Sequence, residues 1–144
     1  MLNEKVAIII RGLPGSGKSD MASYIGYAAH AQGKTVAIHT TDDFHMENDK
    51  YVYKPKKASE YHKQNLAQFT DSCEEGYNLV ICPNTNILKS QYKPYIEAAE
   101  KNGYKVHVII MDMFDEALAV KRTAHSVPAE TIHSMKQNFN ICLD

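Results

Sequence analysis

No stretch of this sequence stays apolar long enough to lie in a bilayer. The longest purely apolar run is Val6 to Ile10, against the roughly 20 residues a spanning helix needs. The N-terminus, MLNEKV, puts an acid before a base and leads straight into glycines, so a signal peptide is not expected. Cysteine is scarce: Cys73, Cys82 and Cys142 are odd in number, widely spaced and without a CxxC pair. That pattern supports neither a disulfide framework nor a zinc site, and a reduced, cytoplasmic setting is expected. An excess of one charge is missing too. Sixteen Lys and Arg face seventeen Asp and Glu, a formal net charge of -1, which argues against gripping nucleic acid by global charge alone. With 44% hydrophobic and 23% charged residues, intrinsic disorder and low complexity are excluded. The 144 residues suffice for one domain and are too few for two well-packed ones, so 1–144 is expected to be a single domain.

Four short runs rich in β-branched and apolar residues read as buried strands: Val6 to Arg11, Thr35 to Thr40, Leu79 to Cys82 and Val106 to Met111. Helical patterns lie between them. The first is expected from Gly17-Lys18 to about Ala31 with Gly33 as its stop, and the second from an N-cap at Ser59 to Gly76. A third runs from Ser90 to Asn102 with Pro94 near its first turn, followed by Asp115 to Arg122 and a helix opened by Pro128. Strands alternating with helices imply a parallel sheet covered on both faces.

The strongest local signal is Gly12-Leu13-Pro14-Gly15-Ser16-Gly17-Lys18-Ser19, a full match to G-x-x-x-x-G-K-[ST] between a predicted strand and a predicted helix. Such a loop wraps backbone N–H groups around phosphate oxygens, which requires glycine where a Cβ would obstruct. Gly12, Pro14, Gly15, Ser16 and Gly17 then form the cradle. Lys18 reaches the β/γ-phosphates, Ser19 offers a hydroxyl to Mg²⁺, and the helix N-terminus faces the anion. These residues point to ATP and Mg²⁺.

At the end of the second strand stands Thr40-Thr41-Asp42-Asp43-Phe44-His45, where ligands of parallel sheets bind. A carboxylate there suits either the proton of an attacking hydroxyl or the waters around Mg²⁺, and the plainer alternative is a turn cap. Asp43 is the candidate beside Ser19 for the metal, and His45 is expected to be exposed enough to touch substrate. Past the third strand, Asn84 and Asn86 either bind substrate or hold their own loop. Arg122, after Lys121, ends the helix before the loop Thr123 to Val127, so a lid over about 115–128 would bring an arginine to the transferring phosphoryl group. Lys50 to Lys63 holds five lysines, three tyrosines and one glutamate. That mix suits a phosphate backbone with stackable bases or a solvated helix start.

Taken together, RGLPGSGKS, TTDDF, KYVYKP followed by EYHKQN, NTN, YKPYIEAAEKNGYKV and VKRTAHSVPAETIHSM resemble the polynucleotide-kinase-like P-loop kinases. That group takes in bacteriophage 5′-hydroxyl polynucleotide kinases, kinase modules of ubiquitin-ligase-binding proteins and the P-loop domain of myelin cyclic-nucleotide phosphodiesterase. The likeness covers about Val6 to Phe139 and implies an α/β fold, a P-loop three-layer α/β/α sandwich with a parallel sheet of about four strands. It further implies ATP-dependent transfer of the γ-phosphate to a hydroxyl of a nucleic acid or nucleotide, foremost a single-stranded or end-exposed polynucleotide 5′ end. Lys18, Asp42 as general base and Arg122 in the lid would be its catalytic residues. The chain departs from the phage pattern at His45, where those enzymes have arginine, and at Asn84, where they have aspartate. Pro83 stands where the animal modules carry an aspartate, and Thr123 replaces an asparagine. A small-molecule or modified-base acceptor, or an ATP-binding module that has lost transfer, are the competing expectations.

Overall fold

A computed structural model describes residues 4–139, so Cys142 lies outside the described residues. The elements follow in the order β1 (Val6–Arg11), α1 (Lys18–Ala31), β2 (Val36–Ile38), a 3-10 turn (Thr41–His45), β3 (Met46–Glu47), β4 (Lys50–Tyr51), a second 3-10 turn (Pro55–Lys57), α2 (Ala58–Glu75), β5 (Leu79–Cys82), α3 (Lys89–Lys101), β6 (Lys105–Ile110), α4 (Glu116–Arg122) and α5 (Ala129–Asn138). The main sheet has the order β2-β5-β1-β6 and is parallel throughout. β1 pairs with β5 from Val6↔Leu79 to Ile9↔Cys82, and with β6 from Val6↔Lys105 to Arg11↔Ile110.

Alternation along β1 divides the core. Ile8 and Ile10 face α1, packing with Ala22, Met21, Ile25, Leu79 and Ile81. Ala7 and Ile9 face α2 and α3, packing with Phe69, Cys73, Tyr92, Tyr95 and Ala99. The expected three-layer α/β/α sandwich with four parallel strands is therefore what forms. A third cluster of Leu13, Ile87, Ala119 and Ile132 sits beyond the strand ends and ties α4 and α5 to the loop after β1. Cys73 and Cys82 are buried free thiols, raised by burial to about 11 and about 12.

Local differences from the sequence expectation have local causes. β2 spans three residues rather than running to Thr40, because its partner β5 is followed by Pro83, which has no N–H to extend the ladder. The last ladder contact is His39 N–H to the Ile81 carbonyl at 2.9 Å. Ser59 is not the N-cap of α2: the 3-10 turn at Pro55–Lys57 leads directly into Ala58, and Lys57 takes the cap position. α3 starts at Lys89, where the Leu88 N–H donates to the Gln91 side chain at 3.0 Å, so Pro94 falls inside the helix. The hairpin β3–β4 was not expected. Asn48 and Asp49 turn it at φ of 48° and 64°, a conformation these side chains tolerate better than most.

Arg11, at the end of β1, is fully buried. Its Nε donates to the Asn86 carbonyl at 2.7 Å and its Nη2 to the Ile87 carbonyl at 3.1 Å. The guanidinium lies 4.3 Å from the Tyr92 ring centroid and 4.5 Å from that of Phe139. Asn86 returns the contact, donating to the Ile10 carbonyl at 2.9 Å. Replacing Arg11 with alanine orphans two buried carbonyls and empties a packed volume, so unfolding in urea is expected to show a loss of about 2–4 kcal/mol. An unchanged midpoint and slope would count against this role.

Candidate active site

The loop after β1 has the form its motif predicts. Gly17 caps α1 in the left-handed region at φ 92° with no side-chain cap, so the first N–H groups of the helix point out of its end. Gly15 is at φ 75°, and a Cβ there would lie 2.9 Å from the Ala119 carbonyl oxygen and 3.0 Å from the Thr123 nitrogen. Any side chain at this position would drive α4 off the loop. Gly12 is pinned by its N–H to the Thr85 carbonyl at 3.0 Å, and Pro14 beside it is buried. The Ser16 hydroxyl is buried with no hydrogen-bond partner. Lys18 is buried, and its Nζ donates to the Leu13 carbonyl at 2.8 Å. Ser19 is exposed next to it. A cradle closed to side chains, an unpaired buried hydroxyl and a lysine held only by a loop carbonyl fit a polyphosphate.

Asp42 lies on the phosphate-loop side. Its charge acts on Lys18, partly opposing the burial that pushes that ammonium down to about 8. Asn84 fixes the backbone that presents it: its Oδ1 accepts from the Thr41 N–H at 3.0 Å and its Nδ2 donates to the Thr41 hydroxyl at 3.0 Å. From the opposite side, His125 Nε2 comes within 3.4 Å of Asp42 Oδ2. The Tyr51 ring stacks on that imidazole at 3.8 Å between centroids. Arg122 is exposed at the end of α4, whose last turn rests against Gly15. Lys18, Asp42 and the α4 end are thus gathered at one rim.

Three candidates sit elsewhere or are otherwise engaged. His45 is 3% exposed rather than open to solvent. Its Nδ1 accepts the Lys54 N–H at 3.1 Å, and its ring is enclosed by Tyr51, Tyr53 and Tyr61. Asn86 is 2% exposed and spends its amide on the Ile10 and Asn84 carbonyls, so it holds the loop. Asp43 lines a small cavity of about 160 Å³ with His39, Thr40, Asn65 and Gln68. Its carboxyl is raised above the ordinary range by desolvation first and by Asp42 second. Among the described residues no group of three or more His, Cys, Asp and Glu side chains is placed to hold a metal ion. A divalent ion here would share its ligands with phosphates, as Mg²⁺ commonly does.

Residues 7–141 match the family described as Chromatin associated protein KTI12. The chain belongs to the KTI12 family. This family member is also 30% identical over 137 residues to human NEDD4-binding protein 2, covering 93% of the chain but 8% of that relative. Among solved structures, Kti12 of Chaetomium thermophilum in complex with ADP-AlF3 superposes with a TM-score of 0.66 at 15% identity, over 93% of this chain and 80% of that one. A chain of the Pnkp1/Rnl/Hen1 RNA repair complex gives a TM-score of 0.69 at 18% identity, over 96% of this chain and 45% of that one. At such identities the likeness is one of fold, that of the P-loop kinases. The resemblance to polynucleotide-kinase-like proteins holds at that level, while the family is KTI12 rather than the phage kinases. Among the described residues no helix is long and apolar enough to cross a membrane.

Sequence reasoning missed Tyr51 and His125 in this KTI12-family site. His125 lies in the loop expected as a lid, and Tyr51 within the basic and aromatic segment, but nothing local joins them to Asp42. Lys18 generates a test. In the free protein its ammonium loses its proton near pH 8, whereas the unfolded chain keeps it to about 10.5. Between those values the unfolded state binds more protons, so stability of the free protein rises with pH there. A bound polyphosphate restores the charge. Nucleotide binding is therefore expected to take up protons around and above pH 8 and to weaken as pH rises further. Calorimetry in buffers of differing ionisation enthalpy reads the uptake, and Lys18→Met should abolish it. Binding heats independent of buffer at this pH would count against the assignment.

Proposed function

We propose that this protein binds ATP with Mg²⁺ on the loop Gly12–Ser19 and transfers the γ-phosphate to a hydroxyl, with a polynucleotide 5′ end as the acceptor. The observation that carries the reading is the convergence of Asp42, Lys18 and the end of α4 on one rim. The ADP-AlF3 bound to the Chaetomium thermophilum Kti12 and the RNA repair complex containing Pnkp1 support a nucleotide site and a nucleic-acid acceptor by analogy.

Each residue then has a task. The loop amides and Lys18 hold the phosphates, with Lys18 leaving the Leu13 carbonyl for the anion. Ser19's exposed hydroxyl would hold Mg²⁺, which when bound neutralises charge on the β- and γ-phosphates. Asp42 takes the proton of the acceptor hydroxyl as attack proceeds. Arg122 steadies the equatorial oxygens when the lid is down. The acceptor reaches Asp42 past the exposed Lys50, Tyr53, Lys56 and Lys63, a local excess of basic and stackable groups in a chain of near-zero net charge.

A second reading, ATP binding without transfer, has one observation in its favour. Asn84, where the phage enzymes carry an acid, commits both ends of its amide to Thr41, so the end of β5 offers no carboxylate. One variant separates the two. Asp42→Asn is expected to bind ATP normally while transfer of labelled γ-phosphate to 5′-hydroxyl DNA or RNA falls by about 100-fold or more. Full transfer by that variant refutes the base assignment. Transfer by the native protein only to small hydroxyl compounds removes the polynucleotide acceptor, and ATP binding with no transfer to any of them favours the second reading.

A further inference from the structure

The side chain of Asp42 is held from above by a loop distant in sequence. In the Thr123–Val127 segment, Ser126 takes a left-handed turn at φ 53° and the His125 N–H lies 3.4 Å from the Thr123 hydroxyl. This loop is fastened at both ends. Ahead of it, the last turn of α4 rests on Gly15, and after it Val127 packs beside Leu13 and Ile132. Glu116 on α4 adds a bond to His133 on α5 at 2.7 Å. From that mount the His125 imidazole crosses the rim to Asp42, with Nε2 3.4 Å from Oδ2.

On its other face lies Tyr51. The two rings stack at 3.8 Å with an interplanar angle of 26°. Burial first, and then the neighbouring Asp42 carboxylate, push the Tyr51 phenol up to about 12. Tyr51 is itself presented by the hairpin that His45 organises: the Val52 N–H donates to the His45 carbonyl at 2.8 Å, and the Lys54 N–H donates to its ring. The Nδ1 of His125 is buried without a partner. A proton there would be an unpaired buried donor, so the ring's N–H belongs on Nε2, facing the carboxylate.

We propose that His125 is a positioning residue for Asp42: with the lid down it donates Nε2–H to the carboxylate while Tyr51 clamps its ring, so the base is oriented only in the closed state. The inference rests on the reading of Asp42 as the base. Lid closure and base alignment thereby become one event, and a nucleotide bound under an open lid would face a misoriented carboxylate. Hydrolysis and premature proton transfer are both suppressed by that arrangement.

The test uses the full chain and two independent readouts. In single-turnover transfer at saturating ATP and acceptor, His125→Ala is expected to lower the rate by about 10- to 100-fold, the cost of a misplaced reacting group, with ATP affinity retained. His125→Gln, which keeps an N–H donor, should recover part of the rate, and His125→Phe, which keeps the ring alone, should not. Hydrogen exchange of the Thr123–Val127 amides reports the latch without any chemistry. Exchange should quicken in His125→Ala and in Asp42→Ala, and the double variant should be no faster than either. Wild-type transfer by His125→Ala, beside an inactive Asp42→Asn, overturns the positioning role and leaves the base reading intact. If Asp42→Asn transfers normally, or no transfer is found, lid exchange decides: unchanged protection in His125→Ala overturns the latch.

Discussion

The buried guanidinium of Arg11 binds two carbonyls of the loop after β5, and the arrangement of the rim depends on that contact. Without it the phosphate loop after β1 and the Asn84 loop after β5 would be joined by a short parallel ladder, the backbone bond from Gly12 to Thr85 and the Asn86 amide on the Ile10 carbonyl. A charge removed from water is costly unless its donors are met. Here carbonyls meet Nε and Nη2 and two aromatic rings lie against the guanidinium in place of a carboxylate, while Nη1 is buried without a hydrogen-bond partner. The arrangement keeps the phosphate loop free of a buried acid. It also places Asn86 in its left-handed turn, from which Asn84 reaches Thr41.

From this base a chain of contacts runs outward to the chemistry. Asn84 sets the backbone of the turn after β2, that turn presents Asp42, and Asp42 has the Lys18 ammonium within reach of its charge and the His125 ring against its carboxylate. The tyrosine-walled His45 belongs to the same chain of support, since it shapes the hairpin that carries Tyr51. Residues that resemble substrate ligands in type thus serve as framework, and the groups left facing the rim are few.

Legibility in the sequence followed the range of the interactions. Strand runs, the glycine stops after α1, α2 and α3, and the phosphate loop are written within windows of a few residues, and each was readable. The shortening of β2 was half readable, because Pro83 is visible but its alignment with β2 is not. Asn48-Asp49 between Met46–Glu47 and Lys50–Tyr51 is a weaker hairpin signal than Asn-Gly or Asp-Gly, with two-residue strands too short to show alternation. For Asp42 and Asp43, adjacency in sequence hid different surroundings: along one 3-10 turn, Asp42 lies against His125 at the rim and Asp43 lines the small cavity beside α2.

Sequence alone determined the layered parallel architecture, the phosphate loop with Lys18 and Ser19, and the presence of an acid at the end of the second strand. These depend on periodicity and on backbone conformations that particular residues permit. Tertiary structure alone decided that Asp42 rather than Asp43 faces the loop, that His45 and Asn86 are buried framework, and that Tyr51 and His125 close over the carboxylate. Those outcomes come from contacts that no local window displays, from His45 with Tyr53 and Tyr61 to Asp42 with His125. Which polar group ends up facing water and which is sealed by a partner is settled only when the layers pack, because burial is a property of the assembled surface and not of any residue.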